Sequence, residues 1–267
     1  MKEPMAVVLV TGATDGLGKA VAHALAKRGA TVLVHGRDSS RAEALASELR
    51  RTGATVRVYI ADLASLEEVR GLANTVLARE PRLDVLLNNA GIGTTFPTPE
   101  RAESRDGIEL RFAVNFLSHY LLTRMLIPLL KRSAPSRIVN VSSAGQAPID
   151  FDDPMLTRGY SGVRAYCQSK LAQILFTFDL AAELAGTGVT VNALHPAAYM
   201  PTKMVAHPIS TIEEGVLATM RLVADTSLAD VSGKYFDGAR ETRAHSQAYD
   251  AAARARLRAL SDSLAFA

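Results

Sequence analysis

The sequence predicts an α/β fold built around a parallel, doubly wound sheet. Three observations carry that prediction. Short β-branched runs alternate with longer helical patterns over most of the 267 residues. Those runs are apolar without strict alternation, which suits strands covered on both faces. A glycine-rich octet, TGATDGLG at 11–18, lies between the first strand pattern and the first helical one, the context that a phosphate-binding turn requires.

The strand patterns are 5–10 (MAVVLV), 31–35 (TVLVH), 55–60 (TVRVYI), 83–88 (LDVLLN), 136–142 (SRIVNVS) and 189–194 (VTVNAL). Helical periodicity fills most of the gaps. Residues 17–29 carry Leu17, Val21, Ala24 and Leu25 on one face, and 107–132 and 163–186 give the two longest helices,. Repeated βαβ units imply right-handed crossovers. No internal repeat, low-complexity tract or interdomain linker interrupts them. Two stretches break the rhythm. Residues 93–106 hold two prolines and little apolar content, and residues 144–162 contain Asp150, Phe151, Asp152 and Asp153. Both read as loops at the carboxyl ends of strands, where open α/β sheets bind ligands.

Composition narrows the functional classes. An apolar share of 48% supplies a large core, and the single cysteine, Cys167, excludes an intramolecular disulfide framework and fits a reducing compartment,. The net charge of +3 is small for a pI of about 9.1. Arg254, Arg256 and Arg258 form the densest basic group, in a helical tail without interleaved aromatics. They read as a solvated helix face, not a nucleic-acid surface. The first strand runs directly into the glycine loop, so no signal peptide is expected,. The longest apolar stretch, YLLTRMLIPLL, is interrupted by Arg124 and too short to span a bilayer,. The expectation is a soluble, cytoplasmic protein with no membrane span.

In the octet, Gly12 permits a sharp turn out of the strand, Gly16 lets backbone approach a pyrophosphate, and Gly18 allows close helix packing,. The helix start then offers free N–H groups and a positive dipole end. The spacing is GxxxGxG, and further motifs follow in order. They are Asp62-Leu63 after the third strand, Asn88-Asn89-Ala90-Gly91 after the fourth, Asn115 in the helix that follows, Ser142-Ser143 after the fifth, Tyr166 and Lys170 at the next helix start, and His195-Pro196 after the sixth. This ordered set, over roughly residues 6–236, resembles the short-chain dehydrogenase/reductase (SDR) family. The wording YCQSKLAQILFTFDLAAEL and the 22 residues between Ser143 and Tyr166 resemble its retinol-dehydrogenase-like branch. Ala197 departs from the glycine usual there.

The resemblance implies a single Rossmann-type domain over 1–267, with a seven-stranded parallel sheet flanked by helices on both faces. The cofactor half would cover about 1–142, and the substrate loops about 93–106, 144–162 and 197–212. It implies NADP(H) as cofactor. From the loop, Gly12, Thr14, Asp15, Gly16, Leu17 and Gly18 are expected against it. Arg37, Asp62, Leu63, Asn89, Ala90 and Gly91 are expected from later strand ends, and Tyr166, Lys170, Pro196 and Thr202 from the carboxyl half. Asn115, Ser143, Tyr166 and Lys170 are the expected catalytic set, with Asn115 tying the lysine to a water-linked proton relay. In the family, homo-oligomers form through the helices matching 107–132 and 163–186, and monomers also occur, so the resemblance leaves the oligomeric state open.

The chemistry can be argued independently. Tyr166 and Lys170 are four apart, so they share one helix face,. A free phenol has a pKa of about 10. An ammonium about 4 Å away contributes about 4 kcal/mol at an effective dielectric of about 20, or about three pKa units. That brings Tyr166 near working pH as a general acid or base. Ser143 would stabilise charge on the substrate oxygen. His195 reads as a strand end, Cys167 as core packing on another side of the helix, and Asp150, Asp152 and Asp153 as a solvated loop without metal-ligand spacing,.

Strand two ends His35-Gly36-Arg37-Asp38. NAD-binding folds usually carry an acid at the position of Gly36. Glycine there removes repulsion against a 2′-phosphate, and Arg37 can grip it. Asp38 either reaches the ribose or caps the next helix. For the substrate, a small-molecule ketone, aldehyde or alcohol is expected. Phe96, Ile149, Phe151, Tyr199, Met200 and Met204 would form apolar walls suited to a lipophilic compound,. Two rivals are a nucleotide-sugar epimerase or dehydratase, which would want TGxxGxxG and a larger C-terminal domain, and a non-catalytic NADP(H)-binding regulatory or scaffold protein.

Overall fold

The computed structural model describes residues 6–95, 97–202, 205 and 207–266. Eight strands form one sheet: β1 (Val7–Val10), β2 (Thr31–Gly36), β3 (Val56–Ile60), β4 (Val85–Asn88), β5 (Ser136–Val141), β6 (Val189–His195), β7 (Lys234–Asp237) and β8 (Arg240–Thr242). The spatial order is β3-β2-β1-β4-β5-β6-β7-β8. Every pairing from β3 to β7 is parallel, and only β8 returns antiparallel on β7. The sheet therefore has one strand more than the seven expected. β8 leaves no signal in the sequence because its three residues, two of them exposed and charged, carry no apolar pattern.

The helices are α1 (Gly16–Lys27), α2 (Ser39–Arg50), α3 (Leu66–Arg79), α4 (Ser118–Arg132), α5 (Gly162–Glu183), α6 (Ile212–Ala224) and α7 (Ala251–Ala265). Side-chain alternation along the strands feeds two cores. Leu9, Leu33, Leu86, Ile138 and Val191 face α3, α4, α5 and α7. Val8, Val10, Val32, Val34 and Leu87 face α1, α2 and α6. Burial on both faces explains why the strands read as unbroken apolar runs. The strand order reverses between β1 and β4, which opens the crevice where this class of sheet takes ligands.

The helix expected over 107–132 is a π-helical turn, Phe112–Leu117, continuing into α4. Together they make a 21-residue apolar segment, long enough by length and composition to cross a membrane but mostly buried within the protein. The tail arginines of α7 do not form a free solvated stripe. Arg258 makes a forked bond to Asp179 of α5, with Nε at 2.7 Å from Oδ2. Arg254 donates to the Ala248 carbonyl at 2.9 Å, and the Arg256 guanidinium stands 4.6 Å from the Phe151 ring centroid. The Tyr120 hydroxyl of α4 donates to Asp262 at 2.5 Å. α7 is thus pinned across α4 and α5, over the ring cluster of Phe116, Tyr120 and Phe176.

Candidate active site

The octet forms a tight cradle. Gly12 and Gly16 hold φ of +63° and +47°, backbone that disfavours other residues,. A Cβ on Gly12 would stand 2.9 Å from the Ala90 Cα, and one on Gly18 would collide with the Gly12 carbonyl and Asn89. Asp15 caps α1 by accepting from the Gly16 N–H at 2.9 Å. Leu17 is core, and Thr14 packs its methyl under Gly36, where a Cβ would approach to 2.6 Å. Thr202 closes over Gly16 from the other side.

Two polar residues hold this cradle, and neither was expected from sequence. His35, buried at the end of β2, accepts from the Gly12 N–H at 3.1 Å and faces the Ala61 carbonyl at 3.1 Å. Burial lowers its pKa to about 4, so the ring stays neutral and can keep accepting from that N–H. The Thr11 hydroxyl accepts from the backbone N–H groups of Asn89 and Ala90 at 2.8 and 3.0 Å. Asn89 Nδ2 donates back to the Thr11 carbonyl at 2.8 Å. The β1 and β4 ends are thereby locked together, with Gly91 at the crevice. A Cβ on Gly91 would meet Asn115 Oδ1 and Lys170 Nζ at 3.2 and 3.5 Å.

The four expected catalytic residues converge there. Asn115 sits in the π-helical turn, a local widening often found at functional sites. Its side chain accepts from Ile92 N at 2.8 Å and donates to Ser169 Oγ at 3.0 Å. Ser143 follows β5, and its hydroxyl accepts from the Gly145 N–H at 3.0 Å. The Tyr235 hydroxyl of β7 donates to the Ser143 carbonyl at 2.9 Å. Ser142 points the other way, onto the Lys170 carbonyl at 2.7 Å. Lys170 Nζ, buried on α5, donates to the Val141 carbonyl at 2.9 Å and Gln173 Oε1 at 3.0 Å, and stands 5.8 Å from the centroid of the Tyr166 ring. Burial lowers this ammonium to about 7.

The electrostatics differ from the sequence argument. Burial pushes the Tyr166 phenol up, against a smaller opposing effect of its hydrogen bond to Ser143. Lys170 Nζ bonds the Val141 carbonyl and Gln173, not the phenol. Cys167 also departs from expectation. Its sulfur, with Ser143 Oγ and the Tyr166 ring, borders Gly145 at 3.3 Å from where a Cβ would stand.

Other expected residues sort clearly. Asp62 lies two residues beyond β3, where it accepts from Ala64 N at 3.0 Å, and Leu63 beside it is buried. Arg37 is exposed, and Pro196 is buried after β6. Asp38 caps α2, accepting from Arg41 N at 3.0 Å, while Arg41 is engaged with Asp15 and the Thr14 carbonyl. The acidic run is not a free solvated loop. Asp153 is buried and accepts from Thr157 N, Thr157 Oγ1 and Arg158 N at 2.8–3.0 Å, and Asp150 pairs with Arg164 at 2.9 Å. Ile149 and Phe151 pack into the core, and Met200 turns under α6 against Gly215, so three expected pocket walls point inward. Tyr199 stays exposed, and Phe96 and Met204 lie outside the described residues.

The loops beside the crevice share one anchor. Arg111 is fully buried, donating to the Gly93 and Thr94 carbonyls at 2.8 Å each, to Thr98 O at 2.5 Å and to the Tyr160 hydroxyl at 2.6 Å. Tyr160 in turn donates to Glu109 at 3.1 Å. Gly162 lets the start of α5 lie against the Thr94 carbonyl, a contact any Cβ would block.

A family profile described as "short chain dehydrogenase" matches residues 6–212. The chain belongs to the short-chain dehydrogenase family. It is 40% identical over 271 residues to retinol dehydrogenase 13 of Homo sapiens, covering 92% of this chain and 80% of that protein. It is 37% identical over 256 residues to retinol dehydrogenase 12 of Homo sapiens, covering 90% and 79%. Within the short-chain dehydrogenases it therefore falls in the retinol-dehydrogenase-like branch and is an oxidoreductase. Two solved structures share its fold. The RhlG/NADP active-site complex of Pseudomonas aeruginosa gives a TM-score of 0.71 at 28% identity, over 87% of this chain and 94% of that one. The 3-ketoacyl-(acyl-carrier-protein) reductase of Brucella melitensis complexed with NADH gives 0.70 at 26%, over 87% and 96%.

Proposed function

We propose that this short-chain dehydrogenase is an NADP(H)-dependent enzyme interconverting a lipophilic ketone or aldehyde and its alcohol, with Tyr166 as general acid and base. The observation that carries the reading is the convergence of Ser143, Tyr166, Lys170 and Asn115 at the carboxyl ends of β4 and β5. The cradle fits a dinucleotide: a Cβ at Gly12 or Gly18 would close it, and α1 offers its N-terminus beside it,. The nicotinamide, when bound, supplies the hydride. Ser143 holds the substrate oxygen, Tyr166 gives or takes the proton, and Lys170 would donate to the cofactor ribose.

NADP preference rests on Gly36, Arg37 and Asp38. The Asp38 carboxylate caps α2 and is engaged there, while Arg37 is exposed beside the cradle. A charge-assisted contact is worth about 1.5–3 kcal/mol, roughly 10- to 150-fold in affinity at about 1.4 kcal/mol per decade. NADPH is expected to exceed NADH in kcat/KM by at least about tenfold. Arg37→Ala is expected to shrink that ratio while leaving NADH kinetics nearly unchanged. Equal use of the two cofactors by the unaltered protein overturns the assignment.

The lipophilic substrate is supported by relatives named for retinol and by Tyr199 and Ile209, apolar and 64% and 74% exposed on the loop after β6. NADPH oxidation followed across a panel tests it. A cyclic or medium-chain apolar carbonyl is expected to give higher kcat/KM than a small anionic one, and the reverse order refutes this part of the reading.

A further inference from the structure

Lys170 meets only one side-chain acceptor among the described residues, Gln173 Oε1 at 3.0 Å. Gln173 is one turn further along α5 and is 1% exposed. Its amide nitrogen lies 3.4 Å from His119 Nδ1, and the other ring nitrogen lies 3.3 Å from Thr11 Oγ1. Thr11 is the residue that holds the Asn89 and Ala90 N–H groups at the crevice floor. A continuous buried chain therefore runs from the lysine, through α5 and α4, to the end of β1.

The donor and acceptor roles at the lysine end of this chain are determined by one member. An ammonium has donors only, so Gln173 must turn its carbonyl to Lys170 and its NH2 to His119. His119 Nδ1 is the ring atom within reach of that NH2, and Nε2 faces Thr11 Oγ1. The Asn115 carbonyl oxygen lies 3.1 Å from the same Nδ1. The Nδ1–H tautomer bonds that carbonyl, and the Nε2–H tautomer accepts from Gln173. Burial keeps His119 neutral, with a pKa of about 3, so the ring can hold only one of these two tautomers at a time.

We propose that Gln173 is a positioning residue for Lys170: its carbonyl holds the ammonium, and its amide nitrogen is turned towards the buried, neutral His119 ring. The proposal rests on the reading above, in which Lys170 serves the cofactor. Its consequence is that Gln173 sets where Lys170 titrates. The other titratable groups around Lys170 are His119 of α4, His35 of β2 behind it, His195 of β6 with Asp237 of β7, and Tyr166 and Cys167 of α5. Burial lowers the pKa of all three histidines. Gln173 is thus the side chain through which the charge of Lys170 can be tuned without touching the reacting groups.

The test is NADPH binding, followed by fluorescence as a function of pH in the unaltered protein, Gln173→Met and Gln173→Glu. Protonated Lys170 donates to the ribose, so affinity falls as pH rises through its pKa. A carboxylate beside an ammonium raises that pKa, and the inflection in Gln173→Glu is expected to move up by about 1–3 pH units. Loss of the accepting carbonyl in Gln173→Met is expected to move it down by about one pH unit. The 2′-phosphate, which titrates near pH 6, is common to all three proteins. Opposite displacements support the proposal, because a packing role would not reverse sign with side-chain charge. An inflection unmoved in Gln173→Met overturns it even if Gln173→Glu does not fold. Failure of the unaltered protein to bind NADPH at any pH refutes the cofactor reading instead.

Discussion

Replacing Tyr166 by phenylalanine is expected to cut turnover about 10²–10⁴-fold, the range general acid–base catalysis supplies, or about 3–5 kcal/mol of barrier. The substitution removes one hydroxyl and keeps the ring that packs beside Gly145 and Ser143. Lys170 keeps its bonds to Val141 and Gln173, so NADPH binding is expected to persist. Burial raises the Tyr166 pKa here, so the phenol is ready as a proton donor, and carbonyl reduction is the direction to measure first. Single-turnover NADPH oxidation on the best carbonyl of the panel, with a binding titration alongside, separates chemistry from cofactor affinity. Near-normal turnover in Tyr166→Phe would remove this residue from the mechanism.

The second large effect is on stability. Arg111→Met is expected to destabilise by about 3–5 kcal/mol, the usual consequence of breaking a buried charged network from one side. It strands Glu109 and three loop carbonyls that Arg111 satisfies. For a protein of this size about 1 kcal/mol moves Tm by roughly 2–4 °C, so a fall of roughly 6–20 °C is expected in a thermal melt. Tyr160→Phe provides the graded comparison. It removes one hydroxyl from the same network, and about 1 kcal/mol is expected. Because the clamp joins Gly93, Thr94 and Thr98 to Tyr160 just before α5, substrate KM is expected to rise in Arg111→Met more than kcat falls. A melt within a degree or two of the unaltered protein would show that these loops hold without it.

The contrast between the octet and the Arg111 clamp shows what a sequence can reveal. Gly12, Gly16 and Gly18 are legible because a backbone conformation and a close approach leave no other residue type. β1 to β6 are legible because burial on both faces demands apolar runs. Arg111 has no such signature. Its partners at Gly93, Thr94, Thr98 and Tyr160 lie 13 to 49 residues away, and only the fold assembles them. The same holds for Gln173, His119 and Thr11, which come from α5, α4 and the end of β1. Loop residues were least legible of all. Ile149 looked like a pocket wall, but Gln247 bonds its N–H at 2.7 Å and its carbonyl at 3.1 Å and draws it into the core. Phe151 follows, beneath Arg256.

The position of α7 bears on assembly. The helices matching 107–132 and 163–186 are those through which the resemblance implied that two copies would associate. In this chain α7 already lies across α4 and α5, anchored by Arg258 on Asp179 and by Asp262 on Tyr120. A second copy would have to compete with a segment that is covalently tethered. Tethering by a short linker gives an effective concentration on the order of millimolar, about a thousandfold above that of a partner present at micromolar concentration. Self-association through this face would therefore depend on how firmly those two contacts hold α7 down, as well as on the apolar area beneath it.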